Sequence, residues 1–215
     1  MVVHIYGHPV DMQPIAELAE KYNLYVIEDA AEAHGAEYKK EKCGGLSDIS
    51  ILSFYANKLV TTGEGGMILT SNPKFEERAR SLINLCFKPE RRFYHTEIGH
   101  NYRMSNIQAA IGLAQLEKLD IFVNRKREMA ELYNSQLSKL PIQLPAEKKW
   151  AKNIYWMYAI VLKKECNLAR NDFMEALNKK GIESRPFFIG MHEQPVFKNM
   201  GLFIGENYPV CEYIS

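Results

Sequence analysis

The sequence has no surplus of charge of either sign: 27 Lys and Arg residues stand against 26 Asp and Glu residues, a net charge of +1. A chain that grips nucleic acid or an anionic membrane surface carries a basic excess or a basic block, and neither is present. Cysteine is sparse as well, with four in 215 residues. Cys43, Cys86, Cys166 and Cys211 lie far apart, without a Cys-x-x-Cys pair or a histidine at zinc-finger spacing. That argues against a disulfide framework and against a metal site, and it predicts a reduced, cytoplasmic setting. No apolar run is long enough to cross a membrane, and the start, Met-Val-Val-His-Ile-Tyr-Gly, has no basic or apolar leader pattern. Internal repeats and low-complexity tracts are missing too.

What remains is an ordinary globular composition, 47% hydrophobic and 25% charged, which rules out disorder as the main character. Strand and helix alternate along the first half. Val2 to Tyr6 reads as a strand, Asp11 as a cap for a helix with Ile15, Leu18, Ala19 and Tyr22 on one face, and Leu24 to Ile27 as a fully buried strand. Ile49 to Tyr55 and Gly66 to Thr70 read as two more strands. Asn72-Pro73 opens a helix, and Ser105 with Gln108 has the form of a capping box for another. Pro141 and Pro145 mark a boundary. Beyond them, Ile154 to Leu162 reads as a strand and Asp172 to Lys179 as a helix closed by Gly181. The order predicts an α/β fold: a large, mainly parallel-sheet domain over residues 1–124 and a small α+β domain over 125–215.

Three segments place polar groups where a strand has just ended, which is where open α/β sheets gather their ligands. The first is Glu28-Asp29-Ala30-Ala31-Glu32-Ala33-His34-Gly35. Alone it is also a plain strand-to-helix turn with Asp29 as a cap. The second is Ser53-Phe54-Tyr55-Ala56-Asn57-Lys58, followed by Thr62-Gly63-Glu64-Gly65-Gly66. A lysine directly after a buried strand is suited to nucleophilic chemistry, because burial favours the neutral amine; alone it is also a surface loop lysine. The glycine turn is neither a phosphate-binding P-loop nor a dinucleotide fingerprint. The third is Gly99-His100-Asn101-Tyr102-Arg103-Met104, ahead of a helix.

Taken together and in this order, the segments resemble the DegT-like nucleotide-sugar aminotransferases of the pyridoxal phosphate-dependent transferase fold type I. The resemblance covers practically the whole chain. It implies pyridoxal 5'-phosphate as cofactor, with Lys58 and Asp29 catalytic. Lys58 carries the cofactor covalently, Asp29 pairs with its ring nitrogen, Glu32 meets its phenolic oxygen where many relatives have Gln, and Ser53 binds its phosphate. Asn101 reaches the phosphate of a neighbouring subunit, which implies a homodimer with a shared site. His34, Arg185 and His192 are the implied substrate contacts. Glu32, the Phe-Tyr-Ala-Asn-Lys stretch, Arg185-Pro-Phe-Phe and Met191-His192 resemble the subgroup that aminates GDP-4-keto-6-deoxymannose to GDP-perosamine, with glutamate as donor and 2-oxoglutarate as its product.

The sequence departs from that family at its ends. The family's N-terminal portion, which supplies phosphate-binding amides and an aromatic ring against the cofactor, is not found, nor is its C-terminal segment. Phe188-Ile189-Gly190-Met191-His192 replaces a common Phe-x-Pro-Met-His. The expectation is therefore a truncated chain. Two other readings stay open: an aminotransferase for a UDP- or dTDP-linked keto sugar, and a catalytically silent oligomer partner.

Overall fold

A buried carboxylate ties the first strands together. The computed structural model describes every residue except Pro89 and Arg92. Its first elements are strand β1 (Val2–Val3), helix α1 (Met12–Tyr22) and strands β2 (Ile27–Asp29), β3 (Glu37–Tyr38), β4 (Glu41–Lys42), β5 (Ile49–Ser53) and β6 (Gly66–Leu69). Helices α2 (Pro73–Ile83), α3 (Asn106–Leu116) and α4 (Leu119–Leu137) follow. Strands β7 (Ile142–Gln143), β8 (Ala151–Lys152) and β9 (Val161–Leu162) and helices α5 (Arg170–Asn178), α6 (Pro195–Asn199) and α7 (Pro209–Ile214) complete the chain.

The main sheet has the order β1-β2-β5-β6. β1, β2 and β5 run parallel, in register Val3 with Asp29 and Asp29 with Ile51, and β6 pairs antiparallel at the edge. An antiparallel edge strand on a parallel sheet is a common arrangement. The parallel run puts three carboxyl ends on one side, so residues after Val3, Asp29 and Ser53 meet there.

Glu28 is fully buried at the centre of this sheet. Its carboxylate accepts the His4 Nε2 hydrogen at 2.8 Å, the Gly44 and Leu46 amides and the Ser47 hydroxyl. His4 Nδ1 accepts from Val10 N–H at 3.0 Å, which fixes its hydrogen on Nε2. Burial alone would raise the Glu28 carboxyl, but these donors hold it below the ordinary glutamate value. Cys43 lies against the pair, all three ligand-type atoms within 4.8 Å of one another. Both His4 nitrogens are already engaged, and burial pushes the Cys43 thiol up to about 12, so the cluster is a hydrogen-bonded plug.

Beyond β2 the chain folds back in two tight turns, with Ala33 N–H on the Ala30 carbonyl and Ala36 N–H on that of Ala33. The alanines Ala30, Ala33 and Ala36 are completely buried against Val123, Ile154 and Trp156. Helices start as their sequences dictate. Asn72 caps α2 with Pro73 at its first turn, and Ser105 and Gln108 form the full capping box on α3.

Several expected elements differ. Leu24 and Tyr25 are not strand but exposed, at 60% and 71%. Asn23 ends α1 in the left-handed region, and Val26 N–H bonds the Asp48 carboxylate instead of a neighbouring strand. Asp11 precedes α1 but accepts from the Tyr38 hydroxyl and not from the helix. After Val3 the chain turns into a short 3-10 segment, Ile5–Gly7, in place of a continued strand. The strand expected over 154–162 shrinks to β9. Tyr155 has a left-handed φ of 50°, and its neighbours bond the turn at residues 5–7.

The chain divides into two compact units, residues 1–133 with 146–158, and residues 134–145 with 159–215. The boundary expected after residue 124 falls inside α4, and the segment around Trp156 joins the first unit. The second unit pairs β7 antiparallel with β9 and carries α5 to α7.

Glu28→Ala strands several buried donors at once and is expected to cost about 3–5 kcal/mol of stability, read by urea denaturation. Because the folded Glu28 pKa is lowered, its contribution is complete above an ordinary glutamate's pKa of about 4.3 and fades as pH falls through the folded value. A variant as stable as the parent at neutral pH would remove Glu28 from this role.

Candidate active site

Three strand ends and one distant segment build the site. Gly7, at φ 90°, lets the 5–7 turn lie against residues 154–156: a Cβ there would meet Ile154 Cγ1 at 2.5 Å. The Ile154 and Trp156 amides donate to the Gly7 and Tyr6 carbonyls at 3.2 and 2.9 Å. On the other side the Tyr6 amide donates to Glu32 Oε2 at 2.7 Å. Tyr6 therefore connects the loop after β2 with Trp156.

Lys58 reaches into this frame from beyond β5. Its Nζ lies 3.9 Å from Glu32 Oε1 and 4.0 Å from the centre of the Trp156 ring. The Lys58 and Glu32 side chains are only 11% and 12% exposed. Burial lowers the Lys58 ammonium below the ordinary lysine value, against the pull of the Glu32 and Asp29 carboxylates. Burial likewise raises the Glu32 carboxyl, opposed by the Tyr6 amide and Lys58 and helped by Asp29. Desolvation thus moves both partners towards their neutral forms.

Asp29 ends β2, its Oδ1 accepting the Ala31 amide at 3.1 Å. The Ser53 hydroxyl ends β5 and accepts the Tyr55 amide at 3.3 Å. His34 is 5% exposed, with its ring 5.6 Å from that of Phe54. Among the described residues, neither ring nitrogen has a hydrogen-bond partner. Burial, then the nearby Lys58 charge, lowers its pKa to about 4, while the Ser53 backbone acts in the opposite sense without forming an aligned bond. The imidazole is neutral at pH 7.

The glycine turn braces this corner. The Phe54 amide donates to the Gly65 carbonyl and the Thr62 amide to that of Phe54. The Gln115 side chain on α3 brackets the Thr61 backbone at 3.2 and 2.6 Å. Gly65 has a φ of 141° and faces Met104. The strand-end motifs are thereby held by a helix the sequence reading left unconnected to them.

Lys58, Glu32, Asp29, His34 and Ser53 are therefore gathered by one unit. Asn101 is exposed on the same unit and bridges Asn84. Arg185 and His192 belong to the second unit. Arg185 is exposed and bonds Glu183 at 3.1 Å; His192 is buried with Nε2 at 3.2 Å from Glu212. Sequence reading missed Tyr6 and Trp156. The signal for Trp156 was an aromatic cluster, Tyr155-Trp156-Met157-Tyr158, that reads equally well as a strand.

A comparison with protein families decides what this arrangement belongs to: the profile of the DegT/DnrJ/EryC1/StrS aminotransferase family matches residues 1–215. The chain belongs to that family. Among DegT-type relatives, GDP-perosamine synthase of Escherichia coli O157:H7 is 44% identical over 212 residues, 99% of this chain and 56% of that protein. GDP-perosamine synthase of Caulobacter vibrioides is 42% identical, over 93% of this chain and 54% of that protein. The chain thus spans about half the length of the curated relatives it matches. Among solved structures, Helicobacter pylori PseC, an aminotransferase involved in pseudoaminic acid biosynthesis, superposes with a TM-score of 0.90 at 26% identity. That match covers 99% of this chain and 57% of PseC. The fold is accordingly the α/β transferase fold of DegT-type aminotransferases.

The neutral state of His34 gives a direct check. Of the six histidines, His34 should hold its ring resonances steady between pH 8 and 6 and titrate at about 4. Its unfolded form binds a proton near 6.5, so it makes stability rise with pH between about 4 and 6.5. A His34 that titrates near 6.5 would mean that water reaches the ring.

Proposed function

We propose that this chain carries the lysine of a pyridoxal phosphate-dependent nucleotide-sugar aminotransferase that converts a GDP-linked 4-keto-6-deoxy sugar to the 4-amino sugar. Glutamate is the amino donor, and 2-oxoglutarate leaves. The observation that carries the reading is the buried Lys58 amine at the carboxyl ends of parallel strands, 3.9 Å from Glu32. The GDP-sugar choice rests on the relatives named GDP-perosamine synthase; relatives named for dTDP- and UDP-linked sugars stand lower, at 32% identity.

The residues suit the cofactor. An amine with a destabilised charge forms a covalent bond to an aldehyde readily. The Ser53 hydroxyl and the unpartnered His34 nitrogens leave polar capacity beside it. When bound, pyridoxal phosphate supplies a ring that takes up the electron pair of a broken carbon–hydrogen bond. Lys58 Nζ would hold the cofactor through its aldehyde carbon and, when free, would move the proton at the substrate carbon. Asp29, at the end of β2, would pair with the ring nitrogen and hold a proton there. Glu32 lies by the ring oxygen, and its raised pKa suits a carboxyl that holds a proton there. Ser53 meets the phosphate. Asn101, exposed on its loop, serves the phosphate of a second subunit, so the working form is a homodimer. His34, Arg185 and His192 are assigned to the sugar nucleotide.

The test is to incubate the chain with pyridoxal phosphate, glutamate and GDP-, UDP- and dTDP-linked 4-keto sugars, and to look for amino sugar. Product from the GDP sugar is expected; product only from another nucleotide would overturn the GDP assignment. Lys58→Ala should abolish the visible absorbance of bound cofactor. Asp29→Asn should keep that absorbance and lower turnover by several orders of magnitude. Arg185→Ala should raise the sugar KM and leave the colour unchanged. A colourless parent chain that forms only oligomers would favour a silent partner.

A further inference from the structure

The aromatic ring against Lys58 is fixed more firmly than the lysine itself. Trp156 is 7% exposed and belongs to the core cluster of the first unit. Its Nε1–H donates to the carbonyl of Asn57, the residue before Lys58, at 3.0 Å. Its amide donates to the Tyr6 carbonyl at 2.9 Å, and its own carbonyl accepts Lys126 Nζ at 3.1 Å. The Tyr6 ring packs on it at 5.9 Å. Two hydrogen bonds anchor the Trp156 backbone, and the Nε1–H bond with the Tyr6 ring contact orients the indole, with its face 4.0 Å from Lys58 Nζ.

We propose that Trp156 is a positioning residue for Lys58: its indole face and the Glu32 carboxylate fix Nζ between them, where an incoming carbonyl group reaches it. The proposal rests on the aminotransferase reading, since it assigns the site's lysine a partner in that chemistry. A tryptophan face attracts a cation through its ring quadrupole, most strongly where water is excluded. Lys58 sits on a flexible four-carbon stem, and Glu32 alone, at 3.9 Å, is too far for a hydrogen bond. The ring supplies the second hold. It comes from a segment 98 positions along the chain, so the site closes only when residues 146–158 dock on the strand ends. The indole is also tied to the backbone of Asn57, and it therefore places the stem as well as the tip of Lys58.

The alternative is that Trp156 only fills the core, in which case an aliphatic side chain of similar bulk leaves the chemistry of Lys58 unchanged. The two are separated by trace acetylation of the cofactor-free chain across pH, with Lys58 labelling read by peptide mapping. Among the described residues, the charged and titratable groups that act on Lys58 are Asp29 from β2 and Glu32 and His34 from the loop after it. His34 stays uncharged above about pH 4 and adds no step to the range measured. Trp156→Leu removes the ring that favours the ammonium. Labelling of Lys58 on the acid side of its titration should then rise about two- to thirty-fold, and Trp156→Phe should keep most of the parent behaviour. Unchanged or slower labelling in a folded Trp156→Leu chain overturns the proposal.

If Trp156→Leu does not fold, the Trp150→Phe chain decides, because it leaves Trp156 as the one remaining tryptophan. Its fluorescence should follow the Lys58 titration, and Lys58→Met should remove that step. A fluorescence profile indifferent to Lys58→Met overturns the proposal. Neither measurement needs bound cofactor, so failure here leaves the aminotransferase reading standing, and failure to bind pyridoxal phosphate leaves these titrations intact.

Discussion

The backbone of Tyr6 is the bracket on which the site depends. Its amide holds Glu32 and its carbonyl receives Trp156, and Lys58 lies between those two side chains. Both bonds point the right way only because Tyr6 takes a φ of 55° and Gly7 one of 90°. A left-handed tyrosine is uncommon, and it persists here because the contacts on both sides over-determine it. The small alanines after β2 complete the bracket, since they let the loop that carries Glu32 and His34 pack without bulk.

Around this bracket the sheet separates two kinds of buried charge. Glu28 and His4 are saturated with hydrogen bonds and hold β1, β2 and the 43–47 loop in place. Past Asp29 the chain leaves the sheet, and Glu32, Lys58 and His34 are largely withdrawn from water with fewer partners. That contrast separates support from chemistry. A carboxylate with four donors is driven below its normal pKa, whereas Glu32, with one amide and a distant ammonium, is driven above it. Groups left near neutrality inside a partly dry pocket are the ones able to exchange protons.

Much of this was legible in the sequence. Glu28 to Gly35, Ser53 to Lys58 and the glycine turn each follow a strand, and parallel strands bring their carboxyl ends together. The caps at Asn72 and Ser105 were legible because they are local. Other features were not. Tyr6 and Tyr155 take left-handed backbone conformations that no residue preference announces, and they break what reads as strand at 2–6 and 154–162. Leu24 and Tyr25 have the pattern of a buried strand, yet both are mostly exposed, and Tyr25 meets the Phe75 ring edge-on instead of a covering layer. Apolar periodicity states what a segment is able to bury, and the neighbouring elements decide whether it does so. Trp156 was hidden for a related reason. Its partner lies far away in sequence, and the unit boundary runs through α4 and returns at residue 146, so the segment looks like part of the second domain.

Two lysine amines are withdrawn from water, Lys58 and Lys126, and Lys126 is taken up by the Trp156 carbonyl. The account's central claim is that Lys58 is the one left to meet a carbonyl group. Borohydride reduction of the chain equilibrated with limiting pyridoxal phosphate, followed by peptide mass mapping, tests it most directly. The cofactor's mass should be found on Lys58, and Lys58→Arg should leave no preferred position. A label scattered over exposed lysines, or concentrated on one outside the Tyr6, Glu32 and Trp156 frame, would contradict the account.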